Sequence, residues 1–349
     1  MHCDHLHSMI PLERYRDIIA AIGAKRESWA DSFWMRFAAQ AAVLCPDPPE
    51  QLAKRIHHIA SALQQRTAWY RTLASPVRFV VAAMLIQHHI PVADFLGECD
   101  RASEVFKEVG LHHHGFYETM AVLILRLSAK HPAPSLIQAD RIKSLYDHMK
   151  GFHWWLTGPS DLPACAALAS CPGPAEVVVA HVEDAYQQLK ASGLARNHHL
   201  QTAANLLPVL GVPIDEGVSR YRALKMAFEV RNGVLDVESY DALVVLALIH
   251  QTTDIIINRL CSVREELDLF QPEQCGPANF LIAADLTVLD LVRFGPDQEQ
   301  IRQPQDVESM MATIHAFHIA SAVLVSQVQP EMIQPLGGLD AMGWPYPYA

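Results

Sequence analysis

Imidazole is the reactive group this chain offers most freely. Its 349 residues include 19 histidines, fourteen of them in groups: His2, His5 and His7 around Cys3 and Asp4; His57-His58; His88-His89; His112, His113 and His114; His198-His199; and His315 with His318. Imidazole titrates near neutral pH and is the commonest protein metal ligand, so grouped histidines speak for metal affinity or proton exchange. The plainer account is that they sit at helix ends, where they satisfy free carbonyls and the helix dipole. The candidate metal ligands are His2, Cys3, His5 and His7 near the amino end and His315 with His318 near the carboxyl end. A spacing of three puts two imidazoles on one helical face, but bundle metal sites add carboxylates from facing helices, and the sequence alone does not identify them. The preferred reading of His315 and His318 is a helix packed on the body with both rings hydrogen-bonded.

Other chemistry is excluded by inspection. There is no GxxxxGK[ST] phosphate loop, no GxGxxG, no GxSxG elbow and no HExxH. His181-Val182-Glu183 matches half of a zinc deaminase signature, whose PCxxC half is absent. The seven cysteines, Cys3, Cys45, Cys99, Cys165, Cys171, Cys261 and Cys275, form no CxxC pair and fit reduced thiols, with Cys99, Cys165, Cys171 and Cys261 expected in or beside apolar helix faces. Net charge is −11 with no long basic run, which argues against nucleic acid as a partner. No stretch approaches the ~18 consecutive apolar residues of a membrane span, and the first residues lack a positive region followed by an apolar one. A cytoplasmic chain with no membrane partner is the expectation.

The elements that would position these groups are helices. Val178, Val182, Ala185, Tyr186 and Leu189 follow helical offsets, while Glu183, Asp184, Gln187 and Gln188 fill the opposite face. Pro91, Pro174 and Pro277 each open an apolar-periodic run, and Gly110 and Gly193 each close one. The pattern predicts helices over 12–22, 27–44, 50–72, 77–88, 91–109, 116–128, 135–150, 160–170, 174–192, 199–209, 215–229, 239–250, 253–268, 277–292 and 305–327.

Sliding residues 73–127 by 83 positions gives 13 identities in 55, among them Pro91/Pro174, Ala102/Ala185, Gly110/Gly193 and Ala121/Ala204. A fainter third copy needs small slips, as in Ala166/Ala247 and Ala203-Ala204/Ala283-Ala284. The fold expected is all-α, with stacked helical repeats at about 60–140, 141–222 and 223–295, α-solenoid-like or an α/α superhelix. Residues 1–55 would cap one end, and 296–349, a helix and a Pro/aromatic tail ending in Trp344 to Tyr348, the other, in one continuous domain. The repeat map places His112, His113 and His114 and His198-His199 in the same inter-helix turn of successive units, which predicts an exposed binding strip with Gln201 and Tyr117 nearby. Trp154-Trp155 are read as filling the gap between repeats, and His88-His89 as lying at the opposite end from the strip.

The run Leu156-Thr157-Gly158-Pro159-Ser160-Asp161-Leu162-Pro163-Ala164-Cys165-Ala166-Ala167-Leu168-Ala169, followed by Tyr186, Leu189, Gly193-Leu194 and Leu200-Gln201, resembles the bacterial domain-of-unknown-function family 4003. Phe79, Ala82-Ala83, Phe106, Gly110-Leu111, Tyr117 and Ala121 resemble that family's preceding block, so the likeness covers roughly 60–290. Leu111 and Leu194 stand where an aromatic is expected, and His112 to His114 replace a lysine- or glycine-type turn. The resemblance implies a helical fold and carries no activity.

The function expected is that of a helical-repeat interaction module binding a protein or peptide. The alternatives are a histidine-mediated metal-binding or metal-dependent protein, with a divalent transition metal, and an enzyme of unrecognised type with a pocket between repeats. No cofactor is otherwise expected, and the oligomeric state is left open.

Overall fold

A computed structural model describes residues 11–24, 29–65, 76–111, 115–129, 134–152, 157–270 and 276–293, together with 310, 311, 314, 315 and 318. Among these residues there are fourteen α-helices and no strand. Seven bury one face and expose the other: α1 (Pro11–Gly23), α3 (Pro49–Gln65), α5 (Val92–Glu108), α7 (Leu136–Phe152), α9 (Ala175–Ala191), α11 (Ile214–Asn232) and α13 (Thr253–Phe270). They alternate with α2 (Trp29–Ala41), α4 (Arg78–Gln87), α6 (Phe116–Ala129), α8 (Leu162–Leu168), α10 (His198–Val209), α12 (Tyr240–Leu246) and α14 (Pro277–Arg293).

The alternation separates two layers. Every residue of α8 and α12 is buried, as is all of Phe79 to Ile86 in α4. In α9, by contrast, Val178, Val182, Ala185, Tyr186 and Leu189 are buried and the acidic and amide residues of the other face are not. A helix apolar on all sides belongs inside and one with a single apolar stripe belongs outside. Each fully buried Leu or Val in the inner layer contributes about 1.5–3 kcal/mol over an exposed one.

Contacts run along both layers. The outer helices pack as α1–α3, α3–α5, α5–α7, α7–α9, α9–α11 and α11–α13; the inner ones as α2–α4, α6–α8, α8–α10, α10–α12 and α12–α14. Between α4 and α6 the link is carried by α5, which packs on both α3 and α6. The series then returns to its start, for α14 packs on α1 and α2. Arg16 of α1 meets Glu266 of α13 at 3.0 Å, and Gln40 of α2 donates a hydrogen bond to Asp285 of α14. The helices expected to cap one end therefore meet the last unit of the expected stack, and among the described residues seven helix pairs form a closed ring. A constant turn from pair to pair produces this as soon as the pairs are numerous enough to come round.

Local signals match the sequence reading closely. Pro91 and Pro174 sit at the N-caps of α5 and α9 with φ −64° and −63°, and both helices have 17 residues. Gly110 and Gly193 follow them with φ 81° and 89°, the left-handed conformation glycine adopts without strain. The short inner helix α8 ends where Arg141 of α7 donates to the carbonyls of Ala169, Cys171 and Gly173 at 2.9, 2.6 and 2.9 Å, so free acceptors there are satisfied by a neighbouring helix.

Candidate functional site

The expected exposed histidine strip is only partly within view, because His112, His113 and His114 lie outside the described residues. Tyr117 is half-buried, its ring edge-on to Phe116 with centroids 5.3 Å apart. His198 is half-buried, while His199 and Gln201 are buried, contrary to the solvent-facing strip. The reason is local. Asn197 is the N-cap of α10, its side chain accepting from the Leu200 N–H at 2.8 Å, so His198 and His199 open an inner helix rather than forming a turn. That asparagine is the signal in the sequence that could have placed them.

Buried polar side chains instead converge on the inner layer. At the start of α10, His199 Nδ1 lies 3.6 Å from Asp241 Oδ1 in the first turn of α12. Two residues further on, Gln201 Nε2 donates to Asp161 Oδ1 at 3.0 Å, and Asp161 Oδ2 accepts from the Gly158 N–H at 2.9 Å. Burial pushes the Asp161 carboxyl up to about 7 against the pull of that N–H. Glu118, at the position of α6 that the 83-residue offset pairs with Gln201, is likewise pushed up to about 7 by burial, with a Ser103 hydrogen bond opposing.

The densest group surrounds Asp285, wholly buried in α14. Its Oδ2 accepts from Gln40, lies 3.0 Å from His318 Nδ1 and 3.6 Å from His315 Nε2. His318 is also close enough to Asp241 for that charge to act on it, and His199 feels His318 in turn. His315 acts on His88, which caps the carboxyl end of α4. Side chains from α10, α12, α14 and the cap of α4 thus surround the buried His315 and His318, which are helical. His88 is linked to this group through His315, and the turn presenting it is completed by His89 at φ 53°, a left-handed conformation.

The imidazoles are not equivalent. For His318, burial disfavours the cation, but the charge and hydrogen bond of Asp285, with Asp241 beyond, outweigh it and leave the pKa raised. His199 is raised in the same way by Asp241 against the effect of burial. His315 is lowered by burial, with His318 adding to it and Asp285 opposing. His88 is lowered to about 4 by burial first and then by His315 and His89. Two imidazoles beside carboxylates therefore hold a proton more readily than a free ring, and two others less readily, an arrangement able to store and exchange protons.

The carboxylates missing from the sequence reading of His315 and His318 are Asp285 and, more distantly, Asp241. Each is an acidic residue inside an otherwise apolar run, such as Phe280-Leu-Ile-Ala-Ala-Asp-Leu, and that placement was the available signal. Among the described residues no three or more His, Cys, Asp or Glu are arranged to hold a metal ion. His2, Cys3, His5 and His7 lie outside those residues, as do Trp154-Trp155 and the tail to Tyr348. Cys45, Cys99, Cys165, Cys171 and Cys261 are free; Cys171 and Cys261 are half-buried rather than buried, since they lie at the margins of the core. His181 and Glu183 fall on the outer helix α9, with Glu183 accepting from Gln187.

A family model described as a protein of unknown function, DUF4003, matches residues 26–291. The match runs from α2 into α14 and leaves out α1 and the helical residues 310–318. No curated protein and no solved structure matches the chain. No single helix among the described residues is long and apolar enough to cross a membrane.

Proposed function

We propose that this chain, which belongs to the DUF4003 family, is a partner-binding protein that engages another protein or a peptide through the outer layer of its ring. The observation that carries the reading lies on α11. Val218, Tyr221, Leu224 and Phe228 already give this helix its buried apolar stripe, yet Met226, Val230 and Val234 are 66 %, 81 % and 88 % exposed. Met226 and Val230 stand four residues apart on the face turned away from the core, and Val234 follows just beyond the Gly233 cap that ends the helix. An outer helix needs one apolar face; a second has no role in folding and is the usual mark of a contact surface. Arg231 fixes the end of the row by bonding Asn258 and Asp254 of α13 at 2.6 and 2.9 Å, which brings exposed Ile255 alongside. The inner layer gives no comparable support to catalysis, because its polar groups are buried against residues of the chain itself.

The test is the double variant M226E/V230E. Proximity labelling in the native cell, followed by binding of the purified partner, is expected to show capture by wild type and at least a tenfold loss of affinity in the variant, with the helical circular dichroism unchanged. Equal binding by the two chains would sink the reading. Dimerisation of wild type that the variant abolishes would identify the partner as a second copy.

A further inference from the structure

Helix α1 lies outside the family match, which begins at residue 26, yet it spans the place where the ring closes. It packs on α2 and α3 at one side of the seam and on α14 at the other. Leu12, Tyr15, Ile18, Ile19 and Ile22 give it a buried stripe at helical spacing. The arginines flanking Tyr15 reach different sides of the seam. Arg14 donates to the Cys45 carbonyl at 2.8 Å and to the Asp47 carbonyl, which fixes the turn between α2 and α3. Arg16 donates to the Glu266 carbonyl at 3.3 Å, pairs with the Glu266 carboxylate at 3.0 Å and lies 5.7 Å from the centre of the Phe270 ring, all on α13. We propose that α1 is a strap over the seam: its docking keeps α14 on α2, and when it lifts the ring opens there while the other helix pairs stay folded.

Two features make the seam the place to open. The first is covalent. Neighbouring pairs elsewhere follow one another along the chain, and short connections keep them at high effective concentration. Across the seam, Arg16 and Glu266 are 250 residues apart, so contact alone holds the two sides. The second is polar. Asn279, Asp285 and Thr287 of α14 are wholly buried, and Asn279 Oδ1, Asp285 Oδ1 and Thr287 Oγ1 have no hydrogen-bond partner within the chain. A buried acceptor without a partner carries its full desolvation cost, and water reaching α14 removes that cost. Part of what opening loses in apolar packing is thereby returned. Once α1 lifts, Arg16 no longer holds α13, and α14 keeps only α2 on the far side of the seam, with Gln40 donating to Asp285. Such an opening is populated too thinly to appear as a separate melting step, and hydrogen exchange detects it.

Hydrogen exchange of the full chain, read by mass spectrometry, tests this with Arg16→Ala and Ile18→Asp. In wild type, peptides from α1, α2 and α14 should exchange through one opening that α6, α8 and α10 do not share. Arg16→Ala should speed exchange of those three helices about fivefold, as loss of a partly exposed ion pair allows, and leave α6, α8 and α10 unchanged. Ile18→Asp places a charge beneath the strap and should speed the same three helices much further. If Ile18→Asp does not fold, Arg16→Ala decides, because Arg16 is half-buried and its loss removes no apolar side chain from the core. Faster exchange of α1 without α2 and α14 would show that α1 covers the seam and does not hold it. Loss in step with α6, α8 and α10 would show that the ring opens only by unfolding. Either result, or exchange of α1 and α14 unchanged in Arg16→Ala, would overturn the proposal.

Discussion

At the level of single residues, the inner layer is notable for carboxyl groups held where ionisation is costly. Asp161 is the clearest: buried, bonded to Gln201 and to the Gly158 N–H, and pushed up to about 7. A carboxyl raised in the folded chain favours folding most below its unfolded value near 3.9, and that contribution is lost as pH rises towards 7. Thermal unfolding followed from pH 5 to 8 should therefore show stability declining, with Asp161 contributing a slope of up to about 1.4 kcal/mol per pH unit. Asp161→Asn keeps an acceptor for Gln201 and should flatten the decline. A profile identical to wild type would show that the carboxyl is ionised throughout. Little of this was legible in the sequence. The partners of Asp161, Asp241 and Asp285 are 40, 42 and 33 residues away for Gln201, His199 and His318, and no local pattern reports such pairings. The histidines were visible as a group, but a repeat-based placement put them in turns, whereas the Asn197 cap and the apolar run after it put His199 inside.

At the level of helices, sequence and structure agree closely, because helix ends are written in local chemistry. Expected 91–109, 174–192 and 277–292 became Val92–Glu108, Ala175–Ala191 and Pro277–Arg293. The poorest agreement is at α8 and α12, expected as 160–170 and 239–250 and found as seven-residue helices, each preceded by a single 3-10 turn. Their runs are apolar to the end, and periodicity cannot tell a helix from a buried turn that continues it. Two glycines separate backbone from packing. At Gly193 an added Cβ meets nothing within 4 Å, so Gly193→Ala should cost only the roughly 1–2 kcal/mol of a left-handed alanine. At Gly217 the backbone is ordinary, but a Cβ would lie 2.6 Å from Leu207 Cδ2 and 3.1 Å from Val212 Cγ1. Gly217→Ala should cost about 1–3 kcal/mol by overpacking α11 against α10. Denaturant melts of both variants check this, and a neutral Gly217→Ala would mean the two helices separate easily.

For the whole molecule, closure changes how the chain should unfold. An open stack loses units from its ends, and its cooperativity frays as length grows. Here α1 and α2 pack on α14, so neither end is free. A single transition is expected, with calorimetric and van't Hoff enthalpies equal, and two separated transitions would contradict closure. The Arg16–Glu266 pair marks the seam without securing it, since both side chains are about one-third exposed or more and such pairs contribute about 1 kcal/mol at most. The seam is secured by apolar packing of α14 on α2 and by Gln40 on Asp285. None of this was readable in the 83-residue likeness, because sequence self-similarity does not report the angle at which one helix pair follows the last.

The closed seam also makes number a constraint. An open stack can gain or lose a unit by recombination and still present two sound ends, so such families drift in length by whole repeats. A ring admits one count: an eighth pair would push α14 past α2, and a missing one would leave a gap no side chain can span. Among the described residues α14 already meets α1 and α2. Growth that keeps this contact can proceed only within the loops, and the number of helix pairs becomes a fixed part of the fold.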